Sequence, residues 1–201
     1  MAWPRAAKPE QPLQVGGGAD AADLPEWWGP LARPIILFWG LIDQRLDVEW
    51  CASLAGGPDA TGTLVMVGAQ QSPDPRLAEV RGRGLKMPGP VDYARLPALA
   101  AAADVLVMPY ADLPVTRAMQ PLKLKEYLAT GKPVVVRDLP ATREWSDAAD
   151  VVKTAEEFVA TVRTRAKEGV PPQQLEARAR LADESWAKKA ERFEAILLGK
   201  A

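Results

Sequence analysis

Residues 121–136 read PLKLKEYLATGKPVVV, a helical pattern that runs into a glycine and then into an apolar strand. Pro121 suits the first turn of a helix, and Gly131 is the residue type that commonly ends one. The valine run that follows is apolar on both faces, as in a parallel strand buried between two layers of helices. The segment therefore predicts a helix over 122–130 followed by a central strand.

The same alternation of helix and strand extends outward from this segment. Short apolar runs predict strands, and the segments between them predict helices. The predicted strands are 35–39, 63–67, 85–87, 105–108, 134–136 and 151–153. The predicted helices are 47–55, 76–81, 93–102, 122–130, 155–167 and 171–198. With right-handed crossovers, this order gives one doubly wound, Rossmann-like parallel sheet of the α/β class, followed by C-terminal helices.

The two ends of the chain differ from its middle. Residues 1–33 are rich in proline and glycine and predict an arm or interdomain linker, whereas 34–170 form the predicted Rossmann-like domain and 171–201 a closing helix. The apolar stripe of that helix is Leu175, Ala179, Ala182, Trp186, Phe193 and Leu197. We interpret the stripe as covering the sheet, with a partner-binding helix as the alternative. Trp27 and Trp28 are expected to pack onto the same domain, or else onto a partner.

The composition excludes several kinds of chemistry. The 201 residues include 25 Lys and Arg against 26 Asp and Glu, a net charge of −1, so the chain lacks the basic field of a nucleic-acid binder. It has no His and one Cys, which excludes Ser-His-Asp and Cys-His catalysis, His-containing zinc sites and a disulfide framework. No apolar run reaches the roughly 20 residues of a membrane span, and no signal-peptide pattern opens the chain. We therefore expect a cytoplasmic protein without a transmembrane segment, a nucleic-acid partner or a metal site.

A candidate anion site follows the first predicted strand. Gly40 would let the backbone approach a ligand, the next helix would present unpaired N–H groups, and Arg45 would add a fixed positive charge. The alternative is that Arg45 pairs with Asp43 or Asp47 on the surface.

A second candidate lies in the first turn of the helix predicted over 122–130. A lysine there, Lys123, is unfavourable next to the positive end of the helix dipole unless an anion is also present. Glu126 is three residues further along and shares its face, so the helix would offer a cation for phosphate and a carboxylate for sugar hydroxyls. The alternative is a Lys123–Glu126 pair on a solvated helix, which leaves the dipole mismatch unexplained.

Taken in order, several segments resemble the donor-binding half of GT-B glycosyltransferases of the group 1, family 4-like type. The segments are 18–20, 38–47, 65–68, 89–93, 96–97, 104–110, 121–136 and 185–186. The resemblance covers roughly residues 16–198. It implies the C-terminal, nucleotide-sugar-binding half of a GT-B fold, with a nucleoside diphosphate sugar as donor substrate and no cofactor or obligatory metal.

The resemblance also implies roles for particular residues. Glu126 would contact the donor ribose, and Lys123 and Arg45 would be the catalytic cations beside the diphosphate. Gly40 would be the glycine of close approach. The remaining implied donor contacts are Pro90 and Val91 beside the base, and Thr116, Pro121 and Leu122 near the sugar and phosphate.

Two departures from the family pattern leave the function open. Ala118 stands where the first Glu of the family's Glu-x7-Glu motif is expected, which indicates a different sugar-site geometry. The acceptor-binding half of a GT-B enzyme has no counterpart in the sequence. Three hypotheses remain: a glycosyltransferase half completed by a partner chain, a non-catalytic nucleotide-sugar-binding module, and another enzyme class on the same fold, such as an epimerase.

Overall fold

The computed structural model describes residues 24–55, 62–82 and 84–199, and its strands form one parallel sheet. The strands are β1 Ile35–Trp39, β2 Thr63–Val67, β3 Leu85–Gly89, β4 Val105–Met108, β5 Val134–Arg137 and β6 Asp150–Val152. Their order across the sheet is β3-β2-β1-β4-β5-β6, and every neighbouring pair is parallel. This is the order of a Rossmann-like fold, so the predicted fold class is confirmed.

Helices cover both faces of the sheet. They are α1 Val48–Ala55, α2 Arg76–Val80, α3 Leu96–Ala102, α4 Pro114–Arg117, α5 Leu122–Ala129, α6 Pro140–Arg143, α7 Ala155–Glu168, α8 Pro172–Ala177 and α9 Trp186–Leu197. Short 3₁₀ helices occupy Glu26–Trp28, Tyr93–Arg95 and Arg178–Glu184. Within the described ranges, none of these helices has both the length and the apolar character needed to cross a bilayer.

The core is built on the central strands. All residues of β1, β2 and β4 are buried, and the first three residues of β5 are buried as well. A strand covered on both faces needs apolar side chains on both, which is why these segments show no alternation of apolar and polar residues. The strand ends at the carboxyl edge therefore rest on a rigid base.

The C-terminal segment departs from the prediction of one helix over 171–198. The chain forms α8, a 3₁₀ helix and then α9, because the Ser185 side chain accepts a hydrogen bond from the Lys188 N–H at 3.2 Å and caps a new helix. The interpretation that the apolar stripe covers the sheet is wrong for α9. Trp186 and Phe193 are 74% and 63% exposed in the described structure.

Two short helices, α4 and α6, were missed by the sequence patterns. Residues 112–117 and 138–143 share the pattern Asp-Leu-Pro-x-Thr-Arg, and they follow the neighbouring strands β4 and β5. In both, the Thr hydroxyl accepts a hydrogen bond from the Leu N–H, and the Arg pairs with the Asp five residues earlier. Proline is common at the first position of a helix, so the repeated proline could have indicated both helices.

The apolar arm before β1 packs onto the domain, as expected from its tryptophans. Trp28 is 4% exposed and belongs to the core, and the partly buried Trp27 lies 5.7 Å from it between ring centroids. Residues 1–23, which include most of the predicted arm and the linker-like segment 18–20, lie outside the described residues, as do 200–201.

We expect Trp28→Ala to lower the free energy of unfolding by about 3–5 kcal/mol, because it removes a large buried aromatic side chain. The matched control is Trp186→Ala, which we expect to change it by no more than about 0.5 kcal/mol, since the side chain is exposed. Urea unfolding followed by circular dichroism measures both. Equal losses in the two variants would contradict the different burial of these tryptophans.

Candidate active site at the carboxyl edge of the sheet

The site lies where the strand order changes direction. Strands β2 and β3 extend from one side of β1 and strands β4 to β6 from the other, so a crevice is expected beyond the carboxyl ends of β1 and β4. Gly40 follows β1 directly, and Pro121 is the N-cap of α5. We use the name carboxyl-edge site for Gly40, Arg45, Lys123 and Glu126.

Gly40 and Lys123 are in direct contact. The backbone of Gly40 has φ +149°, and a Cβ placed on it would lie 2.5 Å from Lys123 Cε and 3.0 Å from Lys123 Nζ. The space that a side chain would fill is therefore taken by the lysine. The Lys123 ammonium therefore lies beside Gly40 at the end of β1, so one residue from each of the two predicted candidates meets there.

Glu126 is oriented by the last residue of β1. The Trp39 indole N–H donates to Glu126 Oε2 at 3.3 Å, and the Tyr93 hydroxyl lies 3.5 Å from Oε1. Within the described part of the chain, these aromatic side chains are the hydrogen-bond partners of the carboxylate, and Lys123 is not among them. The alternative of a solvated Lys123–Glu126 pair is therefore not what the structure has.

Tyr127 ties α5 to β1. Its hydroxyl accepts a hydrogen bond from the Trp39 N–H at 2.9 Å and donates to the Trp39 carbonyl oxygen at 3.0 Å. The two rings lie 4.0 Å apart between centroids, and Tyr127 is fully buried. Burial strongly raises the pKa of Tyr127, so the neutral hydroxyl is the form that bridges the two elements.

Arg45 pairs with Asp43, which is the alternative that the sequence left open, but the pair is partly buried. Its Nε and Nη2 donate to the Asp43 carboxylate at distances of 2.8–3.0 Å, and its Nη1 approaches Met119 Sδ at 3.6 Å. Burial acts to raise the pKa of Asp43, but hydrogen bonds from Arg45 and the charges of Arg45 and Lys123 bring it below its ordinary value. The Asp43 carboxylate is therefore paired with Arg45 and also lies within the electrostatic influence of Lys123.

The other predicted contacts are spread around this centre. Pro90 is exposed and Val91 partly buried in the loop after β3, and that loop reaches Glu126 through Tyr93. Pro121 and Leu122 begin α5, with Leu122 57% exposed. They lie one turn from Glu126 on the same helix.

Thr116 is not brought into the site by its hydroxyl. The side chain is 1% exposed, its Oγ1 lies 2.5 Å from the Ala111 carbonyl oxygen, and it accepts the Leu113 N–H at 2.9 Å. These bonds close the loop between β4 and α4. A contact of Thr116 with a sugar or phosphate stays a prediction.

Sequence reasoning assigned no role to the aromatic residues that surround Glu126. Trp39 and Tyr127 belong to apolar patterns and read as core, while Tyr93 reads as a surface helix residue. Each adds a polar atom at the carboxyl edge. Tyr and Trp commonly pack their rings against other side chains while their O–H or N–H group makes a hydrogen bond. Across residues 24–55, 62–82 and 84–199, no group of three or more His, Cys, Asp or Glu could hold a metal ion.

Known proteins share this fold and sequence pattern. The family model for glycosyl transferases group 1 matches residues 33–168. A 54-residue segment is 46% identical to TuaH of Bacillus subtilis (strain 168), which is named as a teichuronic acid biosynthesis glycosyltransferase; it covers 27% of this chain and 14% of that protein. Since the family model spans more than half of the sequence, the chain belongs to the group 1 glycosyltransferases, and the family prediction is confirmed.

Two solved structures show the same fold at low sequence identity. Anabaena HepE, crystallised with UDP-glucose, superposes with a TM-score of 0.60 at 15% identity over 81% of this chain and 49% of that one. The C-terminal domain of the group 1 protein LpcC from Francisella tularensis superposes with a TM-score of 0.53 at 14% identity, over 76% of this chain and 85% of that domain. The chain thus spans about half of HepE and most of an isolated C-terminal domain.

We expect Tyr127→Phe to lower the free energy of unfolding by about 1–3 kcal/mol, because it leaves the Trp39 N–H and C=O without their buried partner. The control, Tyr93→Phe, removes a hydroxyl from a half-exposed ring and should cost no more than about 0.5 kcal/mol. Chemical denaturation measures both variants. A loss in Tyr127→Phe no larger than in Tyr93→Phe would show that the bridge does not hold α5 to β1.

Proposed function

We propose that this chain is the donor-binding half of a glycosyltransferase that transfers a glycosyl group from a nucleoside diphosphate sugar. Membership in the group 1 family supports the transferase class. The observation that carries the proposal is the placement of the Lys123 ammonium against Gly40 at the end of β1, with the Glu126 carboxylate on the same helix. HepE, which shares the fold, was crystallised with UDP and with UDP-glucose.

The diphosphate would lie at the start of α5. Lys123 offers a cation there, and the free N–H groups of the first helical turn point out of that end of the helix. Arg45 is the second cation, shared with Asp43. Departure of a nucleoside diphosphate leaves negative charge on the leaving group, and fixed cations and amides stabilise that charge in the transition state. Lys123 and Arg45 are therefore the proposed catalytic residues.

The ribose would rest on Glu126. A carboxylate accepts hydrogen bonds from two neighbouring sugar hydroxyls, and the Trp39 indole fixes the orientation of this one. The base would enter the loop after β3, beside Pro90, Val91 and the half-exposed ring of Tyr93. The polar and apolar parts of a nucleotide would thus each meet a matching surface.

Charge stabilisation by these side chains needs no metal or cofactor. We therefore propose that transfer proceeds without either. The Rossmann-like domain over 34–170 is its donor-binding unit, and the cytoplasmic location expected from the sequence stays a prediction. An epimerase on the same fold, considered from the sequence, is not supported, because the matching family is one of glycosyltransferases.

A second half of the enzyme, on this polypeptide or on a partner chain, would supply the acceptor site. The sequence suggested Trp27 and Trp28 as its docking surface, but Trp28 is buried in the core. The exposed apolar face of α9, which includes Trp186 and Phe193, fits that role better. Closure of two halves excludes water and aligns the reacting groups, so transfer by this half alone should be slow.

We expect isothermal titration calorimetry to detect binding of UDP or another nucleoside diphosphate, with Lys123→Ala and Glu126→Gln each raising Kd by about tenfold or more. The ion pair of Lys188 with Glu191 lies on α9 and is exposed, so Lys188→Ala serves as the matched control and should bind as the unaltered chain does. Unchanged affinity in both site variants would contradict the site.

The same preparations test whether the chain needs a second half. Donor hydrolysis or transfer by the purified chain at ordinary enzymatic rates would contradict that requirement, while leaving the donor site intact. We expect the purified chain to bind the donor without turning it over. Adding the second half should give turnover.

A further inference from the structure

Arg178 is a buried arginine whose partners are backbone carbonyls. It is 6% exposed, and its Nε donates to the Ala148 oxygen at 2.9 Å, while Nη1 donates to the oxygens of Lys132 at 2.8 Å and Leu128 at 3.5 Å. No partner for Nη2 occurs among the described residues. Burial lowers the pKa of Arg178 to about 10, against an opposing effect of Asp150. Arginine is rarely placed in such an environment without a carboxylate partner.

Two of the three carbonyls that Arg178 binds lie at the C-terminal end of α5, and the third, that of Ala148, precedes β6. Leu128 is in the last turn of α5, and Lys132 is in the loop that leads into β5. A cation at the C-terminal end of a helix satisfies free carbonyls and interacts favourably with the helix dipole. Arg178 therefore caps α5 from the C-terminal segment of the chain.

The same C-terminal segment contacts α5 a second time, at Lys125 in the N-terminal half of the helix. Glu184 forms an ion pair with Lys125, which lies between the site residues Lys123 and Glu126 on α5. Glu184 also pairs with Lys189 in the first turns of α9, at 3.3 Å. One carboxylate thus links the donor helix to α9.

We infer that Arg178 and Glu184 are positioning residues that hold α5 along its axis and so keep Lys123 and Glu126 aligned with the end of β1. This inference rests on the proposed function. The contact between the Trp39 indole and Glu126 is already 3.3 Å long, so a small shift of α5 breaks it. A misplacement of about 1 Å can cost a large factor in binding or rate, although neither residue touches the ligand.

The test is UDP binding by calorimetry on the full chain, with thermal unfolding measured in parallel. Glu184→Gln removes the ion pairs without changing the shape of the side chain, and we expect it to raise the Kd for UDP about fivefold. Asp147→Asn is the matched control. It removes the pair with Arg180, which belongs to the same 3₁₀ helix as Glu184. Among the described residues Asp147 has no hydrogen bond or ion pair with α5, so affinity should stay within about twofold.

A charge exchange separates positioning from general stability. Glu184→Lys alone adds a third positive charge beside Lys125 and Lys189 and should weaken UDP binding further. Combining it with Lys125→Glu restores an attractive pair, and we expect the affinity to return at least half of the way on a logarithmic scale. Arg178→Lys keeps the charge but loses the forked guanidinium that reaches several carbonyls. We expect it to weaken UDP binding at temperatures at which the variant is still folded.

The outcomes distinguish the inference from the proposed function. If the unaltered chain binds neither UDP nor another nucleoside diphosphate, both fail. If it binds UDP and Glu184→Gln and Arg178→Lys bind equally well, the positioning role is wrong and the donor site stands. If the loss of UDP affinity in each variant only follows the fall in its unfolding temperature, the residues stabilise the fold and the inference is overturned. The inference is also overturned if the charge exchange restores no affinity.

Discussion

The site depends on one hydroxyl. A parallel strand that ends at the edge of a sheet leaves backbone groups without a neighbour, and at the end of β1 the hydroxyl of Tyr127 binds both the N–H and the C=O of Trp39. Because Tyr127 lies in the C-terminal half of α5, this contact sets the distance between that part of the helix and the strand. Lys123 is one turn earlier and Glu126 one residue earlier, so their positions follow from it. The glycine at the strand end completes the arrangement by leaving room for the lysine.

Much of the fold could be predicted because burial on both faces leaves a direct mark in the sequence. The residues of β1 and β2 are all apolar or small and all buried, and their boundaries are those expected. Gly131 ends the pattern of α5 as predicted and has φ +71°, a conformation that favours glycine. The meeting of Gly40 and Lys123 could also be expected, since strand ends and helix starts share one edge of a doubly wound sheet.

Other features depend on contacts that no local pattern contains. The break at Ser185 could not be separated from a continuous helix, because the flanking residues suit a helix equally well. Arg178 lies in a polar stretch and reads as a surface residue, yet the chain buries it against carbonyls from distant segments. From the sequence, Trp39 looks like any other core side chain. Its hydrogen bond to Glu126 depends on how the first turns of α5 lie against β1. The identity of these partners is fixed by tertiary packing.

If the proposed donor site is correct, Asp43 affects how long a nucleotide stays bound. Its carboxylate pairs with Arg45 and lies within the electrostatic influence of Lys123. At the proposed donor site, an arriving diphosphate would therefore compete with an acid that belongs to the protein, and Asp43 would again pair with Arg45 when the diphosphate left. Under that proposal, this competition would shorten the time for which the nucleotide product stays bound and so favour repeated turnover.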